Sequence, residues 1–232
     1  MESVRRLHTG DLGKEAEMAI CQLYNTPYHG KYNYTMDAAE SLKNRFVNLK
    51  NYFPDCVHSA KYGSRYDFTT KDGSNPQYLS AKTSKRNGKV CPQVIGQPTK
   101  KKYCEHFNLP ADSTNEDIKI FIQNNLPQLL KEYSDYTFDC PTLYYNQKKD
   151  ILKYIIKKNN IDWEKHSIIF GHIEKQKAWN ESTTIYLRRN DNEKNIILGE
   201  FQIHNNRDGI KFRWKFENVI ELFSDNFEVV NL

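Results

Sequence analysis

The sequence predicts an α/β (α+β) protein with a mixed central β-sheet flanked by helices. Three observations support this prediction: helical apolar spacing in the first half, a turn-rich hairpin after it, and a β-rich last third. The 232 residues include 15 Tyr, 12 Phe and 3 Trp, which is enough rigid apolar volume for one sizeable core. Because no internal repeat or low-complexity linker interrupts the chain, we predict a single domain over residues 1–232.

The first predicted helix spans residues 37–53. An Asp-x-x-Glu pair, Asp37 and Glu40, fits a capping box at its start. Its apolar positions recur at helical spacing and are Leu42, Phe46, Leu49 and Phe53.

A β-hairpin is predicted next. Two short stretches of β-formers, residues 65–70 and 77–83, are separated by Lys-Asp-Gly-Ser-Asn-Pro at residues 71–76. Such a composition between two strands is typical of a turn. Residues 84–99 contain Gly, Pro and polar residues without periodicity, which predicts an irregular, basic loop.

Two further helices are predicted in the middle of the chain. Residues 113–133 begin with a second capping box, formed by Ser113 and Glu116, and Pro127 is expected to break or kink this helix. Residues 147–159 are assigned to a helix with isoleucine and leucine on its inner face and lysine on its outer face.

The last third predicts four strands, at residues 167–173, 183–189, 196–204 and 210–216. The final strand alternates, with aromatic or aliphatic residues on one face and Lys or Arg on the other. The Asn-Asn-Arg-Asp-Gly run before it supplies the positive-φ residues that a short turn needs.

Positive charge is concentrated in one region of the chain. Residues 64–107 hold nine Lys or Arg against three acids, a net charge of +6 in a chain whose formal charge is +5. Such a region suits a polyanion, because Lys and Arg release condensed counterions when they bind phosphates. From charge alone, a solvated basic loop is an equal alternative.

Several classes of protein are disfavoured by composition. Mean hydropathy is −0.82, and no apolar run approaches the roughly 20 residues that span a bilayer. Residues 1–11 are polar and charged, so we expect no signal peptide and a soluble, cytoplasmic protein. Five widely spread cysteines without a Cys-x-x-Cys pair predict neither a disulfide framework nor a zinc site.

The hairpin carries a candidate metal site. Ser80 and Lys82 are two residues apart on its second strand and point to the same face, and pairing can put Asp67 beside them. A carboxylate with neighbouring oxygens can hold Mg²⁺, which polarises a phosphate and lowers the pKa of bound water. A lysine can orient the attacking water or help to deprotonate it.

This Asp-x12-Ser-x-Lys spacing resembles the PD-(D/E)xK nucleases, in which an acidic residue precedes (D/E)-x-K on an adjacent strand. Asp67 and Lys82 match the first and last positions, whereas Ser80 departs from the acidic middle position. Type II restriction endonucleases of the MspI-like group are similar in having a neutral, oxygen-bearing residue there. The resemblance implies a restriction-endonuclease-like core, a double-stranded DNA substrate and Mg²⁺ as cofactor.

The neutral Ser80 leaves the metal with one charged ligand fewer, so water or another carboxylate must compensate. Members of the superfamily often place a helix-borne Glu near the site, and the resemblance makes Glu40 the candidate here. The predicted metal ligands are therefore Asp67, Ser80 and Glu40. The alternative for Glu40 is a purely structural role as the capping partner of Asp37.

DNA contacts are predicted in two segments, the basic run after Lys82 and the polar turn before the last strand, and the resemblance covers residues 36–100 and 196–223. We assign residues 36–107 to a catalytic core and residues 165–223 to C-terminal strands with a recognition turn. Asn and Gln can pair with adenine, and Arg with guanine, in the major groove. An edge hairpin with protective charges is the alternative for the second segment. The candidate DNA-binding residues are Ser84, Lys85, Arg86, Asn87, Lys89, Gln93, Gln202, His204, Asn205, Asn206, Arg207, Lys211 and Arg213.

The resemblance implies a type II restriction endonuclease that hydrolyses double-stranded DNA at a short specific sequence. A homodimer on DNA is the simple expectation for cutting both strands of a palindrome. The first alternative is a DNA- or RNA-binding protein without catalysis. The second is a hydrolase that uses Ser80 and Lys82, although no oxyanion-forming Gly turn adjoins Ser80.

Overall fold

The computed structural model describes residues 9–60, 64–189 and 193–232. The prediction that residues 1–11 are not a signal peptide falls largely on residues 1–8, which lie outside the described residues. Among the described helices, none has the length and apolar character needed to cross a membrane. The elements are α1 (Thr9–Leu23), α2 (Met36–Arg45), β1 (Cys56–His58), β2 (Phe68–Thr70), β3 (Tyr78–Ser84), β4 (Lys89–Val90), α3 (Lys100–His106), α4 (Asn115–Asn124), α5 (Leu126–Thr137), β5 (Thr142–Asn146), β6 (Ile151–Lys157), β7 (Ile168–Phe170), α6 (Gly171–Glu174), β8 (Ser182–Leu187), β9 (Ile196–Ile203), β10 (Ile210–Lys215), α7 (Phe216–Leu222) and β11 (Phe227–Asn231).

The chain folds into two compact units, each built from separate chain segments. The first unit comprises Met1–Gly88, Cys140–Lys157 and Glu228–Leu232, and the second comprises Lys89–Asp139 and Lys158–Phe227. The predicted mixed α/β class is confirmed, but each unit has a sheet of its own where one central sheet was expected. The assignment of the whole chain to a single domain stays a prediction.

The first unit contains a six-stranded mixed sheet of order β1-β2-β3-β5-β6-β11. The pairs β1/β2, β2/β3 and β5/β6 are antiparallel, whereas β3 and β5 are parallel. Helix α1 packs against α2 and against β3, so one face of the sheet is covered by helices. The predicted hairpin is confirmed as β2 and β3, which are both interior strands of this sheet.

Helix α1 supplies much of the first unit's core, yet no predicted element corresponds to it. Its buried residues recur at helical spacing and are Leu12, Ala16, Ala19, Ile20 and Leu23. They pack with Phe46, Phe53 and Leu79 in one hydrophobic cluster. The periodicity that defines α1 is thus present in the sequence and could have predicted the helix.

The helix predicted over residues 37–53 is shorter than expected. It comprises α2 and a 3₁₀ turn, Val47–Asn51, and all four predicted apolar positions are buried. The predicted capping box is wrong: Thr35 is the N-cap residue, and no side chain caps this end. Glu40 instead forms an ion pair with Lys43 one turn later, at 2.9 Å.

The helix predicted over residues 147–159 is wrong, because this segment forms strand β6. Leu152 and Tyr154 are buried in the core opposite Tyr145 and Leu143 of β5. Isoleucine and tyrosine favour strands. Hydrogen bonds to β5 satisfy the backbone of β6, and the apolar spacing of a single segment cannot predict such pairing.

The second unit contains a five-stranded antiparallel sheet of order β4-β10-β9-β8-β7. The four strands predicted in the last third are confirmed, although the predicted first strand ends at Phe170, where α6 follows. Phe212 and Trp214 are fully buried while Arg213 between them is half-buried, so the predicted alternation is confirmed. Strand β4 lies inside the segment predicted to be irregular.

The predicted helix over residues 113–133 is divided into α4 and α5. Thr114, one residue after the predicted cap, forms the capping box with Asp117. The division falls at Asn125, and Pro127 lies in the first turn of α5, where its missing N–H costs no hydrogen bond. The predicted break near Pro127 is therefore confirmed: α4 ends at Asn124, and Pro127 lies at the start of α5.

Replacement of Ile20 by Ala should destabilise the protein by about 2–5 kcal/mol, because the fully buried side chain leaves a cavity in the cluster under α1. Urea denaturation measures this free energy. The matched control is Val47→Ala, since Val47 is 54% exposed in the same unit and should change stability by less than about 0.5 kcal/mol. Equal, small effects of the two changes would contradict the placement of α1.

Candidate functional site

The pairing of β2 with β3 brings Asp67, the second residue before Thr69, next to Ser80 of β3. Phe68 pairs with Leu79 in antiparallel register, and the Asp67 N–H donates to the Leu79 carbonyl at 3.2 Å. This bond is one residue out of the register of the ladder, so the regular pairing ends at Phe68 and the chain stays next to β3 at Asp67. The Asp67 side chain is therefore close enough to β3 for direct contact.

One carboxylate oxygen of Asp67 receives three groups of β3. Oδ2 accepts a hydrogen bond from the Ser80 hydroxyl at 3.0 Å and one from the Ala81 N–H at 2.8 Å. The Lys82 ammonium lies 3.9 Å from the same oxygen. The structure thus brings Asp67, Ser80 and Lys82 together, and their catalytic roles stay predictions.

The three side chains differ in how exposed they are to solvent, and this limits the role that each can have. The side chains of Asp67 and Lys82 are 20% and 16% exposed, whereas Ser80 is fully buried. A substrate can therefore reach the carboxylate and the ammonium more readily than the hydroxyl. A Ser80 nucleophile activated by Lys82 is disfavoured, because the hydroxyl is inaccessible and donates to Asp67.

The donor set is compatible with a hard divalent cation. Mg²⁺ is typically bound through one or two carboxylates, with water and substrate oxygens completing its shell. Asp67 supplies one such carboxylate beside a hydroxyl. Within the described residues, no group of three or more His, Cys, Asp or Glu side chains is arranged to hold a metal ion. The residues present therefore fit a cation that is shared with a substrate phosphate, and do not form a complete protein cage.

Glu40 is not brought to this cluster by any described contact. Its side chain is 51% exposed on α2, and its carboxylate is paired with Lys43. Its role as a metal ligand stays a prediction without support from the geometry.

Glu15 is a buried carboxyl that the sequence analysis missed. Burial raises its pKa, Asp11 raises it further, and Lys85 lowers it in part. Lys85, a candidate DNA contact, therefore lies within electrostatic range of α1. Glu15 lies among the regularly spaced apolar residues of α1, and this position in the sequence could have indicated that its carboxyl is buried.

The basic run after Lys82 forms a closed turn. Ser84 is buried, and its hydroxyl accepts a hydrogen bond from the Gly88 N–H at 2.9 Å. Gly88 has a φ of 62°, which glycine adopts without strain. Arg86 and Asn87 are exposed at the tip. The turn thus presents these two predicted contacts to solvent and uses Ser84 to hold its own backbone.

In the second unit, four of the candidate DNA-binding residues occupy one face of the sheet. Lys89, Gln202, Lys211 and Arg213 are all half-buried, while Gln93, farther along the chain, is buried. Glu200, which the sequence analysis did not select, binds three of them: Lys89, Gln202 and Arg213. Both β9 and β10 are interior strands, so the alternative of an edge hairpin with protective charges is wrong.

The turn between β9 and β10 is held at its first two residues. Glu181, which was also missed, accepts from the Asn205 N–H and pairs with the His204 ring, each at 3.1 Å. Asn206 and Arg207 are exposed. The predicted recognition turn is therefore fixed at its base, with two side chains free to face a partner.

A comparison with curated proteins gives one clear match. The chain is 49% identical over 227 residues to the type II restriction enzyme CviAII of Paramecium bursaria Chlorella virus 1. The match covers 97% of this chain and 64% of the relative, so the chain spans less than two thirds of that protein's length. No protein-family model matches the chain, and no solved structure matches it.

Replacement of Ser84 by Ala should destabilise the protein by about 1–3 kcal/mol, because it leaves the buried Gly88 N–H without its acceptor. The control is Arg86→Ala at the exposed tip, with an expected change below about 0.5 kcal/mol. Chemical denaturation compares the two. If Ser84→Ala is as stable as Arg86→Ala, the hydroxyl does not hold the turn.

Proposed function

We propose that this chain is a metal-dependent endodeoxyribonuclease of the type II restriction class, which hydrolyses double-stranded DNA at a short specific sequence. The observation that carries the proposal is that Ser80 and Lys82 both lie next to the same oxygen of the Asp67 carboxylate. The 49% identity to a type II restriction enzyme supports the same class of activity.

Asp67 and Lys82 have separate roles in the proposed reaction. The Asp67 carboxylate would hold Mg²⁺, and the bound ion would supply Lewis-acid chemistry that polarises the scissile phosphate and lowers the pKa of water. The Lys82 ammonium, next to that carboxylate, orients the attacking water and offsets negative charge on the phosphate in the transition state. The proximity of Lys82 to Asp67, 3.9 Å, keeps both groups at one reacting centre.

Ser80 is proposed to position the Asp67 carboxylate. Its hydroxyl and the Ala81 N–H donate to the same oxygen, which restrains the position of that oxygen. Such fixed, charge-assisted hydrogen bonds are a common support for a metal-binding carboxylate. Direct metal ligation by Ser80, as predicted from the sequence, remains an alternative within the same proposal.

Finer assignments rest on the resemblance of the motif. We propose membership of the PD-(D/E)xK superfamily, close to its MspI-like group, with Mg²⁺ as the metal and the cytoplasm as the location. Cutting both strands of a palindrome requires two active sites or two successive nicks, and a homodimer on DNA satisfies this requirement.

A DNA-binding protein without catalysis is the second candidate. One observation favours it: within the described part of the chain, no cluster of three metal-binding side chains surrounds Asp67. The two candidates differ in one readout, since only the nuclease changes the length of its DNA.

Incubation with sequenced phage DNA and Mg²⁺ should yield discrete fragments, and the mapped ends should share one short sequence. Lys82→Ala should lower the cleavage rate by about 10²–10⁴-fold, because it removes the group that orients the attacking water. Binding to DNA should be nearly unchanged.

The matched control is Lys14→Ala, which removes an exposed lysine of α1 in the same unit. It should retain the wild-type rate. Binding without cleavage by the wild-type protein would support the second candidate. Wild-type cleavage by Lys82→Ala would show that the site lies elsewhere.

Removal of the proposed metal ligand should be measurable without turnover. In the Lys82→Ala background, Asp67→Asn should weaken Mn²⁺ binding to the protein–DNA complex by at least about ten-fold, measured by electron paramagnetic resonance. Glu40→Gln should have little effect if Glu40 only pairs with Lys43, and a similar loss if it is a ligand. Unchanged Mn²⁺ binding by Asp67→Asn would contradict the assignment of Asp67.

A further inference from the structure

Glu200 on β9 joins side chains from three strands. Its Oε2 accepts from the Lys89 ammonium of β4 at 2.5 Å. Its Oε1 accepts from the Gln202 amide of β9 at 3.0 Å and from the Arg213 guanidinium of β10. Three candidate DNA contacts are therefore held by one carboxylate that was not itself a candidate.

This carboxylate is well enclosed. The Glu200 side chain is 14% exposed, against 35% for Lys89 and 27% for Arg213. Burial acts to raise the pKa of Glu200, but the hydrogen bonds and charges of Lys89 and Arg213 outweigh it and hold the pKa below its ordinary value. Glu200 is therefore ionised at neutral pH and offsets the charge of one of its two cations.

The surrounding surface is otherwise cationic. Alternation in β9 and β10 directs Phe201, Phe212 and Trp214 into the core and leaves the polar residues on the opposite face. We call this surface the polar face, and define it by Lys89, Glu200, Gln202, Lys211, Arg213 and Lys215. Glu200 is the one acidic residue in β4, β9 and β10, which the structure describes in full.

Charge and directed hydrogen bonds have different effects on DNA binding. Cations bind the phosphates of any duplex and supply most non-specific affinity, whereas sequence is read by oriented donors and acceptors at base edges. A carboxylate that neutralises cations lowers the non-specific affinity for phosphates. If it also orients Arg213 and Gln202, it supports the recognition of base edges.

We infer that Glu200 is a specificity-determining residue of the polar face. It holds Arg213 and Gln202 in fixed orientations for base edges, and it restrains Lys89 and Arg213 from indiscriminate binding to phosphates. The inference rests on the proposed function, because it presupposes that this face meets double-stranded DNA.

The test compares Glu200→Gln with the wild-type protein on a duplex that lacks the mapped cleavage sequence, in the presence of Mg²⁺. Fluorescence anisotropy gives the dissociation constant over a range of salt concentrations. Glu200→Gln should bind this duplex about five-fold more tightly at physiological salt. The plot of log affinity against log salt concentration should become steeper by about 1 for each cation that is freed to bind a phosphate. Cleavage at sites that differ by one base pair should rise relative to the cognate site.

The matched control is Glu193→Gln, which makes the same change in net charge at an exposed residue paired with Arg189. It should leave the dissociation constant, the salt slope and the cleavage preference nearly unchanged. If Glu200→Gln behaves like Glu193→Gln while the wild-type protein cleaves DNA, the inference is overturned. Absence of cleavage by the wild-type protein would instead overturn the proposed function.

A second variant tests the inference if thermal denaturation shows that Glu200→Gln is unfolded. Thr184 is half-buried on β8 directly across from Glu200, so Thr184→Glu adds a carboxylate beside it. This variant should bind the site-free duplex more weakly than the wild-type protein, with a shallower salt slope. Unchanged or tighter binding would contradict a restraining role for negative charge at this position.

Discussion

The pairing of β2 with β3 is the constraint on which the proposed chemistry depends. Asp67 lies one residue before β2, and this antiparallel register brings its carboxylate to the side chains of Ser80 and Lys82. A shift by one residue would turn its side chain to the other face of the sheet. The register is fixed by burial, because Phe68 and Leu79 pair with each other and are both fully buried. The core that stabilises the first unit thus also determines the geometry of the candidate site.

The charged side chains of the two units differ in their exposure and in their partners. In the first unit, Asp67 and Lys82 are partly exposed, so a cation and a phosphate can reach them. In the second unit, cations crowd one face of a sheet whose other face is an aromatic core, and Glu200 lies among them. Ionised side chains that are partly buried need a partner, and a shared carboxylate provides one for both Lys89 and Arg213. Such a shared partner also fixes the direction in which each cation can donate.

The elements that could be predicted from the sequence were those with an unambiguous period. The alternation from Ile210 to Trp214 and the turn-flanked hairpin around residues 71–76 are local signals, and both features were found. β6 was mistaken for a helix because its pairing with β5 is a tertiary effect that a single segment does not encode. The cluster around Asp67 followed from the hairpin. Glu200 was not found this way, because its partner Lys89 lies 111 residues away in sequence and reaches it only in the folded sheet.

The position of the metal tests most directly whether Asp67 is a metal ligand. A crystal of the Lys82→Ala protein with duplex DNA and Mn²⁺ would locate the ion by its anomalous scattering. We expect a peak about 2–2.6 Å from an Asp67 carboxylate oxygen, with a phosphate oxygen of the DNA as a further ligand. A peak bound to other carboxylates, with Asp67 still held by Ser80 and Ala81 and remote from the ion, would contradict this expectation.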